Sequence, residues 1–285
     1  VIYAEATGRR LALARCALLG VCTLDVALDP FPALSALPSA WFTGHGPWAL
    51  VPSRLIDLIW SEPALWALKA TTLGALALAL FGVWRPRIMA GLAALLLTLT
   101  WGFVRGFGHA DHSQLQLLFM TFVLPFLPAW DALSGVREKA PRAESAYVSA
   151  FVALALVFGF PYFLTGAARL AQEGFTIFTS DAMQHFMARE TLSLDDFDYT
   201  LGLSLLDPAL RPLLNLGFFG VTLAELGAPW AYLEKRWAFA WLALIVPFHL
   251  LAPLLMHVLF VHNLALIAVL YLWPLCWSQA AGRAK

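Results

Sequence analysis

Charge is scarce in this chain. Only 13% of its 285 residues are Asp, Glu, Lys or Arg, about half the share in a typical soluble domain, roughly 25%. The 18 basic and 18 acidic residues cancel, so there is no basic footprint of the kind nucleic acid requires. Cysteine is nearly absent: Cys16, Cys22 and Cys276 all lie in apolar stretches and form no C-x-x-C or other metal-binding spacing. They read as small core residues rather than ligands. No internal repeat is visible, which counts against a secondary transporter built from inverted repeats. No A-x-A site follows the first apolar run, and that run is longer than a signal-peptide core, so a retained first span is expected.

What fills the chain instead is hydrocarbon. Hydrophobic residues make up 61%, and the mean hydropathy is +0.75. A helix needs about 20 apolar residues to cross a bilayer. Eight segments meet that need, at roughly 11–29, 64–84, 88–106, 113–130, 146–168, 212–233, 237–260 and 263–279. Open sheet edges are not tolerated in lipid, so the spans are expected to be helices. The expected fold is therefore an all-α polytopic transmembrane bundle, a single domain over residues 1–285. Pro125 and Pro128 predict a kink or stop in the fourth span.

Basic residues orient these spans. With the N-terminus cytoplasmic, the inner side holds Arg9, Arg10, Arg15, Arg85, Arg87, Arg137, Lys139, Arg142, Lys235, Arg236, Arg283 and Lys285. That is twelve of the eighteen, a bias that obeys the positive-inside rule and places both termini in the cytoplasm. Two long segments then fall outside, at about 30–63 and 169–211. The first carries Trp41, Phe42, Trp48 and Trp60, which suit the membrane interface. The second is acidic, and its "TSDAMQHFMARE" predicts a short interfacial helix with Ser180 at the N-cap.

Ionisable groups within spans are costly and by default mark function. Here they are Asp25, Arg105, His109, Asp111, His112, Arg169, Glu225, His249, His257 and His262. Orientation brings most of them outward, with His249 near mid-bilayer. His109, Asp111 and His112, in "GFGHADHSQLQLLF", are the catalytic candidates, because a carboxylate orients a neighbouring His and favours its protonated form. The i, i+3 pair His109 and His112 also fits metal, but no H-E-x-x-H-like spacing supports it and no metal site is assigned. A purely structural hydrogen-bonded cluster fits the same residues. Arg105, Arg169, Tyr162, His249 and Glu225 are the ligand-binding candidates. Snorkelling to headgroups would also account for the two arginines, and Glu225 is expected to be paired across helices or protonated.

The order of several stretches adds a resemblance. "WFTGHGPW", "ADHSQLQLLF", "YFLTGAARLAQEGFTIFTSDAMQHFM", "TLAELGAPW" and "FHLLAPLLMHVLF" together resemble the vitamin K-dependent gamma-carboxylase-like, or HTTM, membrane domain family over most of the chain. In that family an outer-side Lys deprotonates reduced vitamin K. "DHS" resembles the family's Asn-His-Ser, so His112 matches the family His and Asp111 replaces Asn. "YFLTGAAR" resembles its Tyr-to-Lys stretch, with Arg169 at the Lys position, and His249 matches a further family His. Lys can act as a base once burial disfavours its charge; Arg effectively cannot lose its proton. The resemblance thus implies an outward site for a quinone-like lipid or a peptide, without true carboxylase chemistry. An accessory subunit of a larger membrane complex and a proton-coupled transporter using Glu225, His249 and His257 are the alternatives. Membrane lipids, and for an accessory subunit other membrane proteins, are the expected partners. Ala, Gly, Leu and Arg usage points to a bacterial inner membrane.

Overall fold

Apolar side chains dictate the secondary structure, because a backbone surrounded by hydrocarbon must satisfy its own N–H and C=O groups. The computed structural model describes residues 1–107, 112–130, 143–193 and 201–282, and no strand occurs among them. The helices are α1 (Gly8–Leu28), α2 (Ser53–Ile59), α3 (Glu62–Leu80), α4 (Pro86–Arg105), α5 (His112–Val123), α6 (Glu144–Glu173), α7 (Ala182–Ser193), α8 (Leu201–Ser204), α9 (Arg211–Gly227), α10 (Lys235–Met256), α11 (Val261–Ile267) and α12 (Trp273–Gly282). Six helical stretches among the described residues are long and apolar enough to cross a membrane: those containing α1, α3, α4, α6, α9 and α10. Two shorter apolar stretches, Gln114–Phe126 and Val261–Trp277, complete the set. Each of the eight apolar segments read from the sequence thus contains helix, but the fourth and the eighth are shorter than the six long helices.

Local chemistry sets several boundaries. Thr7 caps α1 by accepting from the Arg10 N–H at 3.3 Å, and Ser61 caps α3 by accepting from the Ala64 N–H at 3.4 Å. Pro125 has no N–H to donate, and α5 gives way at Leu124–Phe126 to a 3-10 turn. In the last apolar stretch a π-helical turn, Ala268–Leu272, joins α11 to α12. Pro274 cannot donate to the Leu270 carbonyl four residues back. The Tyr3 hydroxyl donates to that carbonyl instead, at 2.8 Å.

Two compact units divide the chain, residues 6–154 on the one hand and residues 1–5 with 155–285 on the other. In the first unit, α3 and α4 form the most extensive helix pair, bridged by the Thr72 and Thr100 hydroxyls at 3.1 Å. Lys69 is buried and donates to the carbonyls of Ala27 at 3.0 Å and Asp29 at 2.7 Å, closing the C-terminus of α1. The 30–63 segment folds as 3-10 turns and α2. Of its five large aromatics, Phe31, Trp41, Phe42, Trp48 and Trp60, only Trp41 stays largely exposed. Phe42, Trp48 and Trp60 pack with Phe103. The indoles reach inward because backbone carbonyls await them: Trp48 Nε1 donates to Leu99 at 2.7 Å and Trp60 Nε1 to Leu37 at 2.9 Å.

In the second unit, α6 and α9 approach closely. A Cβ on Gly159 would lie 2.9 Å from the Ala228 carbonyl, so glycine permits the contact. α7 lies where the short interfacial helix was expected. The N-cap is Asp181 rather than the expected Ser180: α7 begins at Ala182, the Asp181 carbonyl accepts from the His185 N–H at 3.1 Å, and Ser180, one residue earlier, accepts from the Ala182 N–H at 3.3 Å.

Candidate functional site

In the first unit, Arg105 ends α4 and lines a cavity of about 380 Å³ with His45, Thr98, Trp101 and Gln114. Beside it, Asp25 Oδ2 accepts from Trp101 Nε1 at 2.7 Å and from Gln114 Nε2 at 3.2 Å. The polar run that leads into α5 thus contributes Gln114, in the first turn of that helix, to a built hydrogen-bond cluster. His109 and Asp111 fall outside the described residues, as does the side chain of His112.

In the second unit, Arg169 projects from α6 onto α9. Its Nη1 donates to Thr222 Oγ1 at 2.7 Å and to Glu225 Oε2, and its Nη2 donates to Glu225 Oε1 at 3.3 Å. The guanidinium also lies 4.5 Å from the Phe218 ring centroid. Positions 218, 222 and 225 repeat at i, i+4 and i+7, so one face of α9 presents ring, hydroxyl and carboxylate together. The Glu225 side chain is 6% exposed and that of Arg169 18%. Burial at that level requires pairing, and the pair is the first of the two states expected for Glu225. A guanidinium has five N–H donors. Three are used here, and the other two meet no acceptor among the described residues.

Arg169 and Phe218 also form part of the wall of a cavity of about 380 Å³. Glu173, Thr176 and Ser180 add polar groups, while Ile177, Met183 and Phe186 supply apolar surface. A mostly apolar concavity with a few convergent polar groups is the usual form of a small-molecule site. Glu225 stands two residues before the end of α9, which gives way to a 3-10 turn at Ala228–Trp230.

A second buried cluster joins α6, α10 and α11. Asn263 Nδ2 donates to the Tyr162 hydroxyl at 2.6 Å, and that hydroxyl lies 2.5 Å from His249 Nε2. With Asn263 supplying one proton to the oxygen, the chain is completed when Tyr162 donates onward to Nε2. A neutral His249 then carries its proton on Nδ1. Neither Nδ1 nor Asn263 Oδ1 has a partner among the described residues, although both are buried. Buried polar atoms without partners commonly mark a site for water, an ion or chemistry.

Five ligand-binding candidates thus separate. Arg169 meets Glu225, Tyr162 meets His249, and Arg105 lines a cavity in the other unit. Thr222, Phe218 and Asn263 were not singled out from sequence. Thr and Phe are unremarkable in an apolar helix; Asn263, a lone amide beside His262, was the available signal. Among the described residues no group of three or more His, Cys, Asp or Glu side chains is placed to hold a metal ion. No family model, curated protein or solved structure matches the chain.

Proposed function

We propose that this chain is an HTTM-like integral membrane protein of a bacterial inner membrane, with eight spans and both termini cytoplasmic, whose Arg169 cavity binds the head of a quinone-like lipid. The Arg169–Glu225 pair beside that cavity carries the reading. Glu225 offsets the guanidinium at contact, and Glu173 adds a second carboxylate to the wall. Two carboxylates against one cation disfavour an anionic head group. A neutral ring bearing carbonyl or hydroxyl oxygens suits the site better. A quinone carbonyl accepts from the two remaining Arg169 N–H groups, a hydroxyl of the reduced form donates to Glu173, and the ring face packs on Phe218 and Phe186. Arginine in place of the family's Lys leaves no base at that position, so the reading is of binding and positioning rather than carboxylation.

The test is titration of the protein in lipid nanodiscs with a short-chain menaquinone, followed by calorimetry. Saturable single-site binding is expected, weakened about tenfold or more in Arg169→Met and Phe218→Ala, the loss of a charged hydrogen bond or an aromatic contact. Equal affinity in wild type and both variants would overturn the site. Tighter binding of a carboxylate-bearing analogue would overturn the charge argument. No binding, together with a stoichiometric co-purifying membrane protein, would favour the accessory-subunit reading. Orientation is checked on a background lacking native cysteines: an impermeant maleimide should label Asp181→Cys from outside intact cells and leave Arg236→Cys unlabelled.

A further inference from the structure

The hydrogen bonds of Tyr162 give it chemistry that the Arg169 cavity does not use. Its hydroxyl proton faces a base, His249 Nε2 at 2.5 Å, while its oxygen accepts from Asn263 Nδ2 at 2.6 Å. All three side chains are buried. Two other buried tyrosines of this unit stand differently. Tyr3 donates to the Leu270 carbonyl at 2.8 Å, an oxygen that takes no proton. The Tyr271 hydroxyl meets no hydrogen-bond partner among the described residues. Rings lead outward from the Tyr162–His249 pair. Trp241 stands edge-on to Tyr162 with ring centroids 6.2 Å apart, and lies 4.7 Å from Tyr271. It also lines an apolar trough between α9 and α10, which exists because Ala224, Gly227 and Ala231 are small. Its Nε1 fixes it there by donating to the Ala224 carbonyl at 3.0 Å. Trp230 and Trp237, on the wall of the same trough, are 53% and 65% exposed.

From this geometry we infer that Tyr162 is redox-active. It yields one electron through Trp241 to a peroxyl radical in the surrounding lipid, and its phenolic proton passes to His249 Nε2 in the same step. The peroxyl radical gains the electron and, with a proton from water, becomes a hydroperoxide. Tyr162 becomes a neutral phenoxyl radical and His249 an imidazolium. One electron from a hydroquinone reverses the change, because the proton has stayed beside the oxygen that lost it. The argument is one of charge. A phenol that loses an electron but keeps its proton leaves a cation on oxygen in a dry interior, which is costly. A base in hydrogen-bond contact moves that charge to a ring built to carry it. Asn263 donates to the oxygen itself, so its bond survives in the radical. Tyr271 is closer to Trp241 but has no base at its hydroxyl, so the oxidation comes to rest on Tyr162. Trp241 supplies the route, because electrons cross between rings in near contact far faster than through saturated side chains. None of these residues lines the Arg169 cavity, so the inference stands or falls separately from the quinone reading.

Electron paramagnetic resonance of the protein in lipid nanodiscs tests this, with peroxyl radicals generated in the bilayer by a lipid-soluble azo initiator. Wild type is expected to give a tyrosyl signal that Tyr162→Phe abolishes. His249→Gln keeps a hydrogen-bond acceptor but no base, and should slow radical formation about a hundredfold, the low end of what a positioned base supplies. Trp241→Leu removes the intervening ring and should slow it as well. Formation should also slow in heavy water after full exchange, because the phenolic proton moves in the same step. Wild type alone supplies that last reading, so it holds even where a variant fails to fold. An undiminished signal in Tyr162→Phe, an unchanged rate in folded His249→Gln or Trp241→Leu, or equal rates in light and heavy water would overturn the inference. The Tyr162–His249 bond would then serve only to hold α6 against α10.

Discussion

A Cβ atom on Gly166 would lie 3.1 Å from the Cβ of Glu225 and 3.2 Å from Leu226 Cγ. The missing side chain lets α6 and α9 come close enough for Arg169, less than one turn further along, to grip Glu225 with both terminal nitrogens. Gly159, two turns earlier, makes the same approach against Ala228 and Pro229. Small residues at one helix-helix seam therefore set the geometry of the ion pair.

Gly166 should tolerate growth poorly. Alanine there gains helix propensity, up to about 1 kcal/mol, but presses on Glu225 and Leu226, so the two effects nearly cancel. Leucine adds overpacking and should lower stability by about 1–3 kcal/mol. Gly217, on α9 with nothing within 4 Å of its would-be Cβ, is the control: Gly217→Ala should stabilise by about 0.5–1 kcal/mol. Unfolding in bicelles distinguishes them. Equal shifts for both alanine variants would show that the close approach is not limiting.

Breaking the ion pair from one side should be worse than removing it whole. Arg169→Met or Glu225→Leu each leaves an uncompensated buried charge, a loss of about 3–5 kcal/mol. The double variant should recover most of that loss, since two apolar side chains fill the seam without an unpaired charge. A double-mutant cycle on unfolding free energies measures this; simple additivity would contradict the pairing.

Lys69 has a structural role that its charge alone does not reveal. Lys69→Met keeps the apolar stem but removes both bonds to the α1 carbonyls. A loss of about 2 kcal/mol is expected, the range for hydrogen bonds to a charged group. Limited proteolysis should also reach the 30–63 segment sooner, because its first turn begins at Phe31, two residues after Asp29, with the Phe31 N–H donating to the Asp29 carboxylate.

Tyr3→Phe removes one oxygen and retains the ring stacked on Tyr232 at 6.2 Å. The Leu270 carbonyl then loses its donor, and Pro274 cannot replace it. Stability should fall by about 1–2 kcal/mol. The double variant Tyr3→Phe with Pro274→Ala should regain part of this through a restored helical bond. No recovery would show that the carbonyl finds another donor.

Helix type and approximate position were legible because lipid leaves the backbone few alternatives. Each run of apolar residues, and each stop such as Pro125, carries its signal locally. Ionisable residues such as Glu225 and Arg169 stood out for the same reason: charge in an apolar stretch is rare enough to notice. Their partners were not legible. A helix apolar on all sides has no polar face to show which way it turns, so hydropathy alone leaves rotation and neighbour choice open. Thus Trp48 and Trp60 look like interfacial anchors in the sequence but bury their N–H groups on backbone carbonyls in the fold.

The sequence by itself determined that the chain is helical, apolar over eight segments and punctuated by a few costly polar groups. Only the tertiary structure decided that Arg169 answers Glu225, that Tyr162 links Asn263 to His249, and that small residues on α9 open a trough beside α10. The division has a physical cause. Backbone hydrogen bonding within a helix depends on residues a few positions apart, whereas these pairings depend on side-chain size at seams between segments distant in the chain.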